Sequence, residues 1–278
     1  MHSSKGPTRA VGLVVSTIAV AVTAAIALTP AARADDTPAY RCHIQSDIAK
    51  LDHPLSRVGS KLAAGEAVTI VAFGSSSTAG SGASSIATNY PSRLAVELKQ
   101  RFPNATVTVL NRGVGGEEAA DMLKRIDSAV FAVHPDLVLW QVGTNAVLRD
   151  SPLPPAERQI NDGVERMKAA GTDVVLIDPQ FAPKVIARPE TPGMVDLLAH
   201  TAKEYNVDVF RRYDLMRRWV EEEGIPFTTF ISPDRLHMND WSYACVAKQL
   251  AVAIAGAVER PVASASRHPV QPVARLTP

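Results

Sequence analysis

The sequence predicts an α/β protein with a parallel, doubly wound sheet between two layers of helices. Short, apolar, Val-rich runs alternate along the chain with longer stretches of helical pattern. Most of the runs lack the period-two alternation of strands that face water on one side, so we expect strands buried on both faces. Buried strands separated by helices form βαβ units, and a series of such units makes a three-layer fold.

Five runs are predicted as the strands of this sheet. They are residues 68–73, 105–110, 137–142, 173–177 and 207–210. Helices are predicted between and after them, at residues 90–102, 117–134, 155–170, 192–205 and 211–223. Residues 39–62 are predicted as a helix before the first strand, and residues 239–259 as a last amphipathic helix that closes the fold.

The first 34 residues are predicted to be a signal peptide. Lys5 and Arg9 precede an uncharged apolar run over residues 10–28, and the small-x-small sequence of residues 32–34 follows it. This order predicts cleavage after Ala34 and export of the protein, which would be periplasmic or secreted, without stable membrane insertion. An uncleaved anchor is the alternative because the run approaches membrane-spanning length, but its Ala and Thr content and the cleavage site favour removal.

The rest of the chain is predicted to be one domain, residues 35–259, followed by a disordered tail. The tail, residues 260–278, is rich in Pro, Ala and Ser and has no hydrophobic period. Of the 29 Lys and Arg, three lie in residues 1–34 and three in the tail, which leaves 23 in the domain against 28 Asp and Glu. A mildly acidic domain lacks the basic footprint of a nucleic-acid-binding protein.

The two cysteines of the chain, Cys42 and Cys245, lie in the first and the last predicted helix. An oxidising compartment favours a disulfide between them, and this bridge would tie the two ends of the domain together. Two buried free thiols that pack as small apolar groups are the alternative.

Four short segments supply the groups of an acyl-transfer site. They are residues 73–78, 111–116, 143–145 and 234–237. The first three follow predicted strands, and in such sheets ligands bind beyond the carboxyl ends of the strands. A serine, a histidine with a carboxylate three residues before it, a glycine turn and a side-chain amide can act as nucleophile, base, orienting group and oxyanion donors.

Ser76 is the candidate nucleophile, because a tight turn after the first strand would expose its hydroxyl. Ser75 and Ser77 remain alternatives on the sequence alone. The G-x-S-x-G motif is not met, since Thr78 occupies the place of the second glycine.

His237 is the candidate base, and Asp234 can hold its Nδ1 so that Nε2 accepts the serine proton. Gly116 and Asn145 are candidate oxyanion donors, although a simple turn and a helix cap are the alternatives for these two residues. No histidine has the spacing of a metal ligand with another His, Cys or carboxylate, so no metal site is predicted.

The order and spacing of the four segments resemble the SGNH (or GDSL) hydrolases, a family named after four residues that Ser76, Gly116, Asn145 and His237 match. The resemblance covers most of the predicted domain. It implies a flavodoxin-like fold and serine esterase or lipase activity without a cofactor. It also implies Asp234 as the third triad member and an oxyanion hole formed by Ser76, Gly116 and Asn145.

The sequence departs from the family pattern at three places. Residues 74–77 read Gly-Ser-Ser-Ser instead of Gly-Asp-Ser-Leu, Ala146 stands where an Asp often follows the Asn, and Met238 stands where a Pro often follows the His. None of these changes removes a chemical group from the mechanism. They argue against the best-known lipase and thioesterase branches.

The substrate is predicted less directly. Residues 178–193 form a long, Pro-rich segment in which Gln180, Phe181, Lys184 and Arg188 could line or cover the pocket, and an ordinary surface loop is the alternative. With the polar, Ser-rich residues 81–85, the sequence favours an exported esterase that removes short acyl groups, acetyl in particular, from a sugar or polysaccharide. Lipid-ester or thioester hydrolysis, and an inactive glycan-binding module on the same fold, are the alternatives.

Overall fold

The structure, a computed structural model, describes Gly6 and residues 40–259 of the 278-residue chain. The predicted signal peptide, residues 1–34, lies outside the described residues except for Gly6, and the predicted tail, residues 260–278, lies outside them entirely. Within the described part, five strands form one parallel sheet, so the predicted α/β class and five-stranded sheet are confirmed.

Each predicted strand is present, with small shifts at its ends. The strands are β1 (Val68–Gly74), β2 (Val107–Gly113), β3 (Leu137–Gln141), β4 (Asp173–Ile177) and β5 (Asp208–Phe210). Almost every residue of β1, β3 and β4 is buried, which explains why these strands are continuous apolar runs in the sequence. The edge strand β2 is half-buried along most of its length.

The strand order is β2-β1-β3-β4-β5, the order of a flavodoxin-like fold. The chain moves from β1 to one side to form β2, and then crosses back to form β3 on the other side of β1. The order therefore reverses at the carboxyl ends of β1 and β3, where such sheets bind their ligands. The segments that carry Ser76 and Asn145 begin at these two strand ends.

Helices lie between the strands in the expected alternation. The longer ones are α1 (Ser56–Ala63), α3 (Tyr90–Arg101), α7 (Leu153–Ala169), α9 (Thr191–Tyr205), α10 (Arg212–Glu221) and α12 (Asp240–Val258). The short ones are α2 (Ser76–Ala79), α4 (Ala119–Lys124), α5 (Ile126–Ala129), α6 (Thr144–Leu148), α8 (Pro183–Ile186) and α11 (Phe227–Phe230). Helix α12 contacts both α1 and α3, and α7 contacts both α4 and α9, as expected for two helical layers.

The predicted helix over residues 39–62 is wrong for most of its length. Helix α1 begins at Ser56, and residues 40–55 are turns and irregular chain that still bury Ile48, Leu51 and Leu55. The apolar spacing in this segment therefore reflects contacts with the core, and the backbone that presents these side chains is not helical.

The predicted helix over residues 117–134 is also shorter than expected. It is divided into α4, α5 and the 3-10 turn Phe131–Val133, and residues 117–118 precede it in extended or irregular backbone. The break between α4 and α5 lies at Arg125, whose side chain turns towards the strand ends instead of following a helix face.

The last helix, α12, is buried over most of its surface, so the predicted amphipathic pattern is not observed. Among the described residues it is the helix that is long and apolar enough to cross a membrane, and its packing against α3 and α1 makes it a core helix of this fold.

The predicted disulfide joins Cys245 of α12 to Cys42, with their Cα atoms 5.5 Å apart.

Candidate active site

Ser76 is the first residue of α2 and lies just beyond the end of β1. The turn needs Gly74, because a Cβ at that position would lie 2.4 Å from Oγ1 of Thr78. The side chain of Ser76 is partly exposed, whereas Ser75 and Ser77 are 2% and 1% exposed. The tight turn therefore presents one hydroxyl of the three.

The neighbouring serine has a different, structural role. Both the backbone N–H and the hydroxyl of Ser75 donate to Oε1 of Gln141, at 3.0 Å each. Gln141 is the last residue of β3, so this contact fixes the strand-to-helix turn against the adjacent strand. The serine that contacts the histidine of the site is Ser76, and not Ser75 or Ser77.

The hydroxyl of Ser76 contacts the imidazole of His237. Oγ of Ser76 lies 2.9 Å from Nε2 of His237, and Nδ1 of His237 lies 2.5 Å from Oδ2 of Asp234. The three side chains come from the two ends of the described chain, yet they form one continuous hydrogen-bonded row. This is the geometry of a Ser-His-Asp triad.

A tight hairpin holds the acid and the base. Ile231 and Met238 form an antiparallel bridge, and Ser232 N–H donates to the carbonyl of His237 at 2.8 Å. At the tip, Oδ1 of Asp234 accepts the N–H groups of Leu236 and His237 at 2.9 and 3.0 Å. Asp234 therefore caps a tight Asx-type turn that also brings its second oxygen to the His237 ring.

The hydrogen bonds at the hairpin tip keep Asp234 ionised. Burial raises the pKa of this carboxyl, but the hydrogen bonds from the His237 ring and from the backbone N–H groups of His237 and Leu236 outweigh burial, so the pKa lies below its usual value. An ionised Asp234 favours a proton on Nδ1 of His237. Nε2 is then the acceptor that faces Ser76.

The glycine turn after β2 lies beside the nucleophile. A Cβ on Gly115 would be 3.9 Å from the Cβ of Ser76, and Val114 N–H donates to the carbonyl of Gly74 at 2.9 Å. Gly116 has a φ of +83°, which favours glycine, and its carbonyl accepts from Nη2 of Arg149 at 2.7 Å. These contacts place the second predicted segment against the first.

Asn145 lies in the first turn of α6, beyond the carboxyl end of β3. Its Nδ2 donates to the carbonyl of Glu117 at 2.8 Å, and this contact brings the third predicted segment onto the glycine turn. The structure thus brings all four segments together at the carboxyl ends of the strands. The strand order accounts for the first three of them, which follow β1, β2 and β3.

Two residues that the sequence suggested as pocket residues have a different position. Gln180 and Phe181 are only 1% and 8% exposed, and Phe181 packs against the rings of Tyr213 and Phe227 at centroid distances of 5.2 and 5.8 Å. The segment 178–193 is therefore not a simple exposed loop: part of it is core, and α8 lies within it.

Gln180 instead forms a hydrogen bond that holds the hairpin. Its Nε2 donates to the carbonyl of Leu236 at 3.2 Å, between the acid and the base. Its Oε1 accepts from Nη2 of the fully buried Arg212 and from the hydroxyl of Thr144, both at 3.1 Å. Arg212 also donates from Nε and Nη2 to the carbonyl of Asp178, at 2.9 and 2.6 Å. A glutamine in a Pro-rich segment gives no sign of this role.

A cleft of about 690 Å³ that is open to solvent lies beside the hairpin. Its walls include Pro183, Phe227, Ser232 and Arg235. Pro183 is the residue of the segment 178–193 that lines this cleft. Within residues 40–259, no group of three or more His, Cys, Asp or Glu is arranged to hold a metal ion.

The sequence from residue 41 to residue 260 matches the model of one protein family, described as the Non-GDSL lipase-like family. The match spans most of the chain and includes all four segments of the site. The chain belongs to the Non-GDSL lipase-like family. Its Gly-Ser-Ser-Ser sequence at residues 74–77 agrees with the description of a family without the GDSL block, and the resemblance to the SGNH hydrolases is confirmed. Membership of this lipase-like family makes the protein a carboxylic ester hydrolase, and the geometry of Ser76, His237 and Asp234 is that of a triad for acyl transfer.

Solved structures of esterases share the fold. A two-domain esterase (CEX) active on acetylated mannans is 24% identical, with a TM-score of 0.66, and the match covers 84% of this chain and 62% of that chain. The acetyl xylan esterase AlAXEase is 18% identical, with a TM-score of 0.56 and coverages of 66% and 98%.

A lipase/acylhydrolase from Enterococcus faecalis is 24% identical, with a TM-score of 0.57 and coverages of 68% and 96%. At these identities the likeness establishes the fold alone. A comparison with curated protein sequences finds no significant match.

Asp178 gives a prediction for the pH dependence of stability. Burial raises its pKa to about 7, against the lowering effects of the Tyr213 N–H and the Arg212 charge. The folded state therefore binds this proton more tightly than the unfolded state, in which the pKa is about 4. The stabilisation is complete below pH 4 and is lost as the pH rises through 7.

We expect Asp178→Asn to remove this dependence, because the amide oxygen can still accept the Tyr213 N–H but cannot ionise. Melting temperatures from pH 5 to pH 8 should decline more steeply for the wild type than for the variant. Asp127→Asn, at a carboxylate that is 80% exposed, is the control and should follow the wild type. Parallel curves for Asp178→Asn and the wild type would show that Asp178 does not titrate in this range.

Proposed function

We propose that the protein is an exported serine esterase that removes short acyl groups, acetyl in particular, from a carbohydrate. The observation that carries the proposal is the continuous row from Ser76 Oγ through the His237 ring to Asp234, with distances of 2.9 and 2.5 Å, at the carboxyl end of β1. The proposed mechanism uses side chains and backbone groups of this chain and no cofactor.

In the first half of the reaction Ser76 forms an acyl-enzyme. Oγ of Ser76 attacks the ester carbonyl carbon while Nε2 of His237 takes its proton. Asp234 stabilises the imidazolium that forms, and its lowered pKa keeps it ionised to do so. The imidazolium then gives its proton to the leaving alcohol oxygen as the carbon–oxygen bond breaks.

The second half of the reaction reverses these roles with water as the nucleophile. His237 takes a proton from the water as it attacks the acyl carbon, and returns that proton to Oγ of Ser76 when the acid leaves. Both halves pass through a tetrahedral oxyanion. The N–H groups of Ser76 and Gly116 and the second N–H of the Asn145 amide are its donors in this proposal.

Support for a carbohydrate substrate comes from the structural relatives. Those active on acetylated mannans and acetyl xylan share the fold over most of this chain. The partner implied is a small-molecule or polysaccharide ester. The family description and the Enterococcus faecalis lipase/acylhydrolase favour a second candidate, hydrolysis of a lipid ester.

Support for export comes from the disulfide and from the N-terminal sequence. A bridge between Cys42 and Cys245 persists in an oxidising compartment, and the first 34 residues have the pattern of a signal peptide. We propose a periplasmic or secreted protein on these grounds.

The test is a panel of p-nitrophenyl esters of rising acyl length, together with acetylated xylan and mannan oligosaccharides. We expect kcat/KM to be highest for the acetyl ester and acetate to be released from the oligosaccharides. A rate that rises with acyl length would favour the lipid-ester candidate. Absence of hydrolysis and of labelling by a fluorophosphonate probe would favour an inactive binding module.

The oxyanion donors give a second prediction. We expect Asn145→Ala to lower kcat by about 10²–10³-fold with KM little changed, because its bond strengthens only as charge develops in the transition state. Asn161→Ala, at a residue of α7 that accepts from Thr201 of α9, is the control and should retain the wild-type kcat. A raised KM with unchanged kcat would make Asn145 a substrate-binding or capping residue.

A further inference from the structure

Arg125 connects the carboxyl ends of β1 and β2. Its Nη2 donates to the carbonyl of Arg112 at 3.0 Å and to the carbonyl of Gly74 at 3.3 Å. Its guanidinium also lies over the ring of Phe73, 4.6 Å from the centroid. Gly74 ends β1 just before the Ser76 turn, so Arg125 holds the base of this turn and the end of β2 together.

The same guanidinium is paired with Glu117. Nε of Arg125 lies 2.8 Å from both carboxylate oxygens of Glu117, and Nη2 lies 2.5 Å from Oε2. The two side chains are only 20% and 15% exposed, so water screens the pair less than it screens a surface ion pair. Planar guanidinium and carboxylate groups in this arrangement have a fixed mutual orientation.

The backbone of Glu117 is in turn bonded to the oxyanion groups. Its carbonyl accepts from Nδ2 of Asn145 at 2.8 Å, and the residue before it is Gly116. A planar amide that uses one N–H for a fixed carbonyl has the direction of its second N–H determined. The position of Glu117 therefore sets the orientation of one proposed donor and lies next to another.

We propose that Glu117 and Arg125 are positioning residues for the oxyanion hole. The pair fixes the glycine turn and the Asn145 amide relative to the Ser76 turn, so that the donors are already aligned when negative charge develops. Aligned donors need no reorganisation during the reaction, and this pre-organisation is the source of their effect on the rate. The proposal rests on the proposed esterase function and adds residues that do not touch the substrate.

A second arginine–carboxylate pair serves as the matched control. Arg57 Nε lies 2.8 Å from Oδ1 of Asp136, a fully buried carboxylate that also accepts from Thr69 N–H at 2.9 Å. Asp136 immediately precedes β3 and therefore lies at the amino ends of the strands, whereas Ser76 lies at their carboxyl ends. Loss of this pair removes a comparable contact with no link to the strand ends that carry the site.

The experiment compares Glu117→Ala, Glu117→Gln and Arg125→Lys with Asp136→Asn and Arg57→Lys. Three quantities are measured for each variant. They are kcat and KM with p-nitrophenyl acetate, the rate at which a fluorophosphonate labels Ser76, and the melting temperature. We expect Glu117→Ala and Arg125→Lys to lower kcat and the labelling rate about 10–100-fold, with KM within about twofold of the wild type. Glu117→Gln should recover part of the rate, because its amide oxygen can still accept from Arg125.

The control variants should lower the melting temperature without a change in kcat. The proposal is overturned if Glu117→Ala has the wild-type kcat and labelling rate. It is also overturned if the control variants show the same fall in kcat and labelling rate as the Glu117 and Arg125 variants at a similar loss of melting temperature. A wild-type protein that neither hydrolyses esters nor reacts with the probe would overturn the esterase function itself, and the positioning role with it.

Discussion

We expect Ser76→Ala to lower kcat by about 10⁶-fold, because removal of a triad nucleophile leaves only the oxyanion donors and substrate binding. The fold should be retained, since the Ser76 side chain is partly exposed and its hydroxyl contacts the His237 ring rather than the core. The measurements are kcat with p-nitrophenyl acetate, mass spectrometry of the fluorophosphonate-labelled peptide, and the melting temperature. Because the triad acts as a unit, a Ser76→Ala/His237→Ala double variant should lose little more than Ser76→Ala alone.

The neighbouring serines are the controls for this prediction. Ser77→Ala should be labelled like the wild type, and Ser75→Ala should still react, although its lost bonds to Gln141 will lower stability. A Ser76→Ala protein with near-wild-type activity, or probe attached to Ser75 or Ser77, would show that the nucleophile is misassigned.

The sheet and the site could be predicted from the sequence for one shared reason. Strands buried on both faces are continuous apolar runs, so β1, β3 and β4 were visible as short segments rich in apolar residues. The parallel topology then brings the carboxyl ends of β1 and β3 together. Ser76 and Asn145 could therefore be placed at one edge of the sheet without any knowledge of their contacts.

The residues around the site could not be found in this way. The helix predicted over residues 117–134 gave Arg125 no special role, and Gln180 was considered only as a pocket or loop residue, because each was interpreted from its local pattern. Their actual partners are distant in the chain: Gly74 is 51 residues from Arg125, and Leu236 is 56 residues from Gln180. A polar side chain that bonds to a backbone carbonyl leaves no hydrophobic period, so composition and spacing give no indication of it.

The helix prediction for the N-terminal segment was wrong for a related reason. Residues 40–55 have apolar side chains at helix-like spacing, but several of their backbone groups bond to distant side chains, among them two of the last helix. Trp241 Nε1 donates to the carbonyl of Tyr40 at 2.8 Å, and Gln249 Nε2 donates to the carbonyl of His43 at 2.5 Å. These bonds, over about 200 residues of chain, remove the need for a helix in this segment.

The disulfide between Cys42 and Cys245 links the N-terminal segment covalently to α12. We expect its removal to cause the largest loss of stability of any change considered. The two residues are 203 positions apart, and the chain-entropy model gives on the order of 5 kcal/mol for a loop of that length. At about 2–4 °C per kcal/mol for a domain of this size, the Cys42→Ala/Cys245→Ala variant should melt roughly 10–20 °C below the wild type.

The measurement has two parts. Alkylation of the purified protein without reductant, followed by mass spectrometry, should modify neither cysteine. A phosphine reductant should lower the melting temperature of the wild type towards that of the double variant and leave the double variant unchanged. Alkylation of both cysteines in the unreduced protein, or an effect of reductant on the double variant, would contradict the prediction.

Loss of the bridge should destabilise the whole domain and not merely free its N-terminal segment. Ile48, Leu51 and Leu55 remain buried in the common core, so release of the segment would expose apolar surface. Cys245 lies in the second turn of α12, and α12 begins at Asp240, three residues after His237. In the double variant the rate of Ser76 labelling at 25 °C should therefore match the wild type, and labelling on heating should disappear together with the global transition. Loss of labelling well below the melting temperature would show instead that the bridge holds the His237 hairpin locally.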